Sequence, residues 1–213
     1  MTFLKAVKNQ FNPRGHPDFV EGADGIATGV AGIGAVAYIV LPGAANDTLA
    51  FAVAWSLAGA CAGFLLFNFP PAKIFLGDSG STALGFGMAF LGLDFYRLRP
   101  AAGASIFLPL MVAGLPLLDA GLTVIRRLRN PLSLIHGDRR HFYDLLLARG
   151  WSPRRIALTC YGITARLSVI GWVGERKGPI EFFAAAVLSV GVLLIAALRL
   201  GALRQDSTER PPQ

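Results

Sequence analysis

Six apolar stretches, at about residues 25–41, 48–67, 81–93, 101–125, 156–173 and 180–198, dominate this 213-residue sequence. Crossing a hydrocarbon core as an α-helix takes roughly 20 apolar residues, and somewhat fewer where the flanks adapt. Backbone in lipid must satisfy its own amides, so apolar runs without strand alternation restrict the chain to helices. The third stretch is the shortest, with room to start at Ser79 and to reach Tyr96. Boundary residues agree with these spans. Asn46, Asp47 and Thr48 offer capping side chains to the second, Ser152 and Pro153 form a cap followed by a helix-opening proline for the fifth, and Pro179 opens the sixth. Only 15% of the residues are charged, against about a quarter in a soluble domain. The expectation is an all-α, polytopic transmembrane helical bundle of about six spans, a single membrane domain over residues 1–213. Within it, residues 1–17 form an N-terminal tail, 126–155 a basic loop and 199–213 a C-terminal tail.

Orientation follows from the basic residues. Fifteen lysines and arginines lie in the N-terminal tail, at Lys73, in the 126–155 loop and in the C-terminal tail; four, Arg97, Arg99, Arg176 and Lys177, lie on the other side. A bias of this size puts the first set in the cytoplasm. The formal charge of +7 then means orientation first and anionic lipids or substrates second, and no nucleic-acid partner is expected. Cys61 and Cys160 fall inside apolar runs and make neither a disulfide framework nor a metal site. The first 20 residues carry Lys5, Lys8, Asn12, Pro13, Arg14 and His16 without a continuous apolar core, so no secretory signal is expected.

Between the second and third stretches runs Asn68-Phe69-Pro70-Pro71-Ala72-Lys73-Ile74-Phe75-Leu76-Gly77-Asp78-Ser79-Gly80-Ser81. The prolines stop the preceding helix, and the glycines and serines permit a tight turn that a ligand can approach. Asp78 and the free amides of the next helix start then address the same space. Phosphate suits such amides, and a carboxylate beside phosphate is a ligand that Mg²⁺ prefers. The stretch reads as a phosphate-and-metal corner, with an ordinary membrane loop of turn residues as the plainer alternative. Gly-Asp-Ser-Gly also surrounds the nucleophile of trypsin-like proteases, but no strand pattern accompanies it here.

Other charged groups allow two readings each. Glu21 and Asp24 are three apart before the first span, so they either complement the helix dipole or ligate a metal or nucleotide. Arg126, Arg127 and Arg129 fit an orientation and lipid-surface signal. His136, Asp138, Arg139, Arg140 and His141 offer too few ligands for zinc, whereas Arg139 with histidine support suits a diphosphate. Asp119 and Arg166 are charges within spans, each costing about 2.5–3.5 kcal/mol at the bilayer centre, and either pair with one another or serve the site.

Together these stretches resemble the polyprenyl-phosphate N-acetylhexosamine-1-phosphate transferases, glycosyltransferase family 4. That family includes the bacterial undecaprenyl-phosphate GlcNAc-1-phosphate transferases and the phospho-MurNAc-pentapeptide translocase. The resemblance rests on Asn68 to Ser81, with support from Asp24-Gly25-Ile26-Ala27, Leu115-Pro116-Leu117-Leu118-Asp119, and His136, Asp138, Arg139 and His141 followed by Gly150-Trp151-Ser152. It implies transfer of an amino-sugar-1-phosphate from a UDP-N-acetylamino sugar to a polyprenyl phosphate with release of UMP, at the cytoplasmic membrane face, in cell-envelope polysaccharide synthesis. It implies Asp78 as the Mg²⁺ ligand and, with Asp24 and His141, as the catalytic set. Phe75 would stack on uracil, Asn68 and Lys73 would belong to the same nucleotide pocket, and Glu21, His136 and Arg139 would bind substrate. Asp18 and Glu21 stand where the family has asparagine and aspartate, and Tyr143 and Asp144 replace its two later histidines. The family carries an adjacent aspartate pair in an earlier loop, and Asp-Asp occurs nowhere in this sequence. The likeness is therefore to the C-terminal part of such an enzyme. Two rivals stand beside the transferase: a truncated, catalytically incompetent member binding nucleotide as a membrane remnant or subunit, and a small transporter, which leaves Asn68 to Ser81 unexplained. Helix faces without partners would favour a homo-oligomer or association with another membrane chain.

Overall fold

The computed structural model describes residues 25–40, 47–97, 107–129, 142–177 and 179–199. Among them every regular element is a helix: α1 (Ile26–Val40), α2 (Thr48–Asn68), α3 (Gly77–Arg97), α4 (Phe107–Val112), α5 (Gly114–Arg129), α6 (Phe142–Leu147), α7 (Pro153–Lys177) and α8 (Pro179–Arg199). The all-α bundle expected from the apolar runs is what forms. Two helices, Thr48–Asn68 and Pro153–Gly174, are long and apolar enough to cross a membrane by length and composition; Ile26–Val40, Gly114–Ile125 and Phe183–Ile195 are shorter apolar helices.

Local signals set the helix starts. The Asp47 carboxylate accepts from the Leu49 and Ala50 amides at 2.8 and 3.1 Å, capping α2. Ser152 Oγ accepts from the Arg155 amide at 3.4 Å, and Pro153 and Pro179 open α7 and α8. Two expectations need correction. The third helix begins at Gly77, so Asp78 lies within its first turn rather than in a loop ahead of it. The fourth run, expected as one helix to Ile125, is interrupted at Ala113 between α4 and α5. Pro116 has no amide with which to bond the Val112 carbonyl, which weakens the helix there.

α1 and α7 are the central helices. α1 packs most heavily on α2 and also on α7 and α3, while α7 touches α1, α4, α5, α6 and α8. The sequence of α1 explains its place, because small residues let neighbouring helices approach closely. A Cβ added at Gly29 would overlap the Tyr161 ring, one at Gly34 would overlap Met88, and one at Gly32 would lie 3.0 Å from the Cys61 Cβ. Val30, Leu115, Leu122, Leu146, Ile156 and Cys160 join α1, α5, α6 and α7 in one core cluster. A second cluster of Ala35, Tyr38, Ala54, Leu91, Phe95, Leu108 and Val112 joins α1 to α4, with Tyr38 edge-on to Phe95 at 6.0 Å. Met111, Leu167 and Ala186 tie α4, α7 and α8. The outward faces carry Trp55, Leu66, Phe86, Val187 and Leu188, all exposed. Water would penalise so much bare apolar surface, whereas lipid does not.

Candidate functional site

The 68–81 stretch folds back on the end of α2. The Phe69 amide still bonds to Leu65 O at 2.9 Å, and the Lys73 amide turns back to Phe67 O at 2.7 Å. The Pro70–Pro71 peptide bond is cis. Asn68, only 3% exposed, is the tie at the base of this loop. Its Nδ2 donates to Ile74 O at 2.9 Å, and its Oδ1 accepts from the Gly25 amide at 3.0 Å and the Thr28 hydroxyl at 3.1 Å. The start of α1, 43 residues away in sequence, is thereby brought against the loop.

Gly25 suits that junction. Its φ is +72°, and a Cβ there would stand 3.1 Å from Tyr161 Oη and 3.3 Å from both Asn68 O and Pro70 Cδ. A side chain would meet both conformational strain and close packing. From the other side, Arg154 Nε donates to Pro70 O at 2.9 Å, and the Tyr161 hydroxyl donates to Gly25 O at 2.8 Å. The Tyr161 ring also lies tilted on Phe69, with centroids 6.5 Å apart.

Lys73, Phe75 and Asp78 are exposed, with Phe75 60% accessible. Asn68 lies beneath them with most of its hydrogen-bonding capacity committed inward. Gly77 makes the turn into α3 at φ +65° with open space around it, leaving Asp78 in the helix's first turn. The Ser81 hydroxyl donates to the Asp78 carbonyl at 3.0 Å. The arrangement offers a cation, a flat apolar ring and a carboxylate beside free helix-start amides within six residues, a set suited to a nucleotide diphosphate. Among the described residues no three histidine, cysteine, aspartate or glutamate side chains converge on a metal position. The donor set fits a Mg²⁺ ion that shares one carboxylate with phosphate and water, and does not form a metal cage of its own.

Glu21, Asp24, His136, Arg139 and His141 lie outside the described residues. Of their neighbours, Tyr143 and Asp144 open α6. Asp144 is buried, and Tyr143 packs against the α1–α5–α6–α7 cluster. Burial pushes the Tyr143 phenol well above its ordinary value, and the charges of Asp144 and Asp119 push it further. Arg166, on α7, is exposed. Sequence reasoning missed Thr28, Arg154 and Tyr161. Tyr161 offered one signal, a polar-tipped aromatic inside an apolar span, which usually finds a hydrogen-bond partner when buried.

Comparison with known proteins agrees with the resemblance. The family model described as glycosyl transferase family 4 matches residues 6–96, which include the whole loop. A probable undecaprenyl-phosphate N-acetylglucosaminyl 1-phosphate transferase of Bacillus subtilis is 32% identical over 144 residues, 68% of this chain and 40% of the relative. A decaprenyl-phosphate N-acetylglucosaminephosphotransferase of Mycobacterium tuberculosis is 33% identical over 204 residues, covering 87% of this chain and 47% of the relative. A phospho-N-acetylmuramoyl-pentapeptide-transferase of Desulforudis audaxviator is 29% identical over 163 residues, 75% and 46% respectively. No solved structure matches. The chain spans about half the length of the curated relatives it matches, and it belongs to glycosyl transferase family 4.

Proposed function

We propose that this chain carries the nucleotide-binding part of a transferase that moves an amino-sugar-1-phosphate from a UDP-sugar to a polyprenyl phosphate, releasing UMP at the cytoplasmic membrane face. The observation that carries the reading is the 68–81 loop, anchored through Asn68 and presenting Lys73, Phe75 and Asp78 at the surface. The family membership and the names of the relatives support the reaction class. Chemically, an oxygen of the lipid phosphate attacks the sugar-bearing phosphorus, the bond from that phosphorus to the bridging oxygen breaks, and UMP leaves with the bond's electrons. Such a step depends on in-line positioning and on neutralising charge. Bound Mg²⁺ would neutralise phosphate charge, with Asp78 as its protein ligand. Phe75 would stack on the base, Lys73 would meet the diphosphate, and Asp24, His141, Glu21, His136 and Arg139 would complete the site.

Binding without turnover is a second reading, favoured by the absence of Asp-Asp from the sequence. The test is equilibrium binding of UDP-GlcNAc to the chain in lipid nanodiscs containing undecaprenyl phosphate, with UMP as competitor, alongside an assay for released UMP. Binding that UMP displaces and a chelator abolishes is expected, with UMP release by this chain alone at background. Absence of any nucleotide binding would contradict the proposal, and robust release would contradict the second reading.

A further inference from the structure

The loop and the Gly25 turn are the two ends of the α1–α2 hairpin, and a helix from much further along the chain grips both. Arg154, in the first turn of α7, donates to the Pro70 carbonyl. Seven residues on, two helical turns and so on the same face, Tyr161 donates to the Gly25 carbonyl. These contacts span 84 and 136 residues of sequence. The grip is close: the Tyr161 ring leaves no room for a Cβ at Gly29 and lies against Phe69. Its two acceptors also lie within three residues of groups that matter to the site. Pro70 leads into the turn that carries Lys73, and Gly25 follows Asp24 directly.

We propose that Arg154 and Tyr161 are positioning residues. α7 clamps the Gly25 turn to the 68–81 loop and so fixes the spacing of the two segments that the transferase reading, on which the functional part of this inference rests, assigns to nucleotide and metal. Asn68 ties the same two segments from within the hairpin, and α7 ties them from outside it. Neither residue need touch substrate. Arg154 Nε and the Tyr161 hydroxyl are committed to backbone carbonyls, and the loop's exposed side chains do the binding. Misplacing reacting groups by as little as about 1 Å can cost on the order of a hundredfold in rate, which gives the clamp its functional weight.

The test compares wild type with Tyr161→Phe, which removes only the hydroxyl, with Arg154→Met, which removes the donor, and with Arg154→Lys, which restores one. Amide hydrogen exchange over residues 25–29 and 69–76 is measured on the full chain in nanodiscs, with melting temperature and Mg²⁺-dependent UMP affinity alongside. Exchange in these segments should rise about three- to tenfold in Tyr161→Phe and Arg154→Met, as expected for losing one hydrogen bond. UMP affinity should fall by a similar factor, melting should stay close to wild type, and Arg154→Lys should recover most of both losses. Unchanged exchange in both variants overturns the clamp. So does wild-type UMP affinity in variants whose exchange has risen, because the positioning role is then refuted. Should wild type itself fail to bind UMP, the transferase reading falls, and the exchange comparison alone decides the clamp. Arg154→Met alters an exposed position at the helix start, so it keeps the test intact if Tyr161→Phe folds poorly.

Discussion

The Asn68 carboxamide accepts from the Gly25 amide and the Thr28 hydroxyl and donates to the Ile74 carbonyl, so truncating it strands three partners at once. Each buried polar group left unpaired costs about 1–3 kcal/mol. Asn68→Ala should therefore destabilise the chain by about 2–5 kcal/mol, read from the equilibrium unfolding transition in mixed micelles. A loss below about 1 kcal/mol would mean that water or a shifted backbone replaces those bonds. The same residue marks how far the sequence could be read. Lys73, Phe75 and Asp78 were legible as surface groups because a short proline-bounded loop cannot bury them all. The inward role of Asn68 was not legible, since the partners of its carbonyl oxygen lie 43 and 40 residues away and no local pattern points to them. Arg154 was hidden in the same way, counted only as one positive charge in a basic loop.

Helix ends are governed by neighbours two or three residues off, which is why the caps at Asp47 and Ser152 and the openings at Pro153 and Pro179 could be read directly. Asp47→Ala removes an acceptor for two amides and should cost about 1 kcal/mol, with the loss seen as faster amide exchange confined to the first turn of α2. Faster exchange along the whole of α2 would show instead that the cap supports its packing. The break at Ala113 was harder to foresee, because Pro109 and Pro116 sit in a run that is apolar on both sides of each proline and hydropathy does not register a missing amide. The start of α3 at Gly77 was misplaced for a related reason. Glycines and serines signal turns by propensity, yet Ser79, Gly80 and Ser81 are helical here, where Gly80 packs against Leu76.

Across the whole molecule, the fifteen-to-four division of basic residues predicts which face meets the cytoplasm. Single cysteines at Ser79 or Ser133, in a background lacking Cys61 and Cys160, should resist membrane-impermeant thiol reagents in intact cells, and one at Ala45 should react. Labelling of Ser79 from outside would overturn the orientation. The bundle itself was legible because lipid leaves an apolar chain little besides helix. The order of packing, with small-residue α1 and long α7 at the centre, was not, because apolar runs look alike until their partners are known. The central claim is that Asp78 anchors a metal shared with a nucleotide diphosphate. Titrating UDP-GlcNAc into wild type and Asp78→Asn at several Mg²⁺ concentrations addresses it most directly, since the substitution removes a charge and keeps the shape. The account predicts Mg²⁺-dependent binding in wild type and a loss of more than tenfold in the variant, above about 1.4 kcal/mol, with helix content unchanged. Equal Mg²⁺-dependent affinity in the two would contradict it.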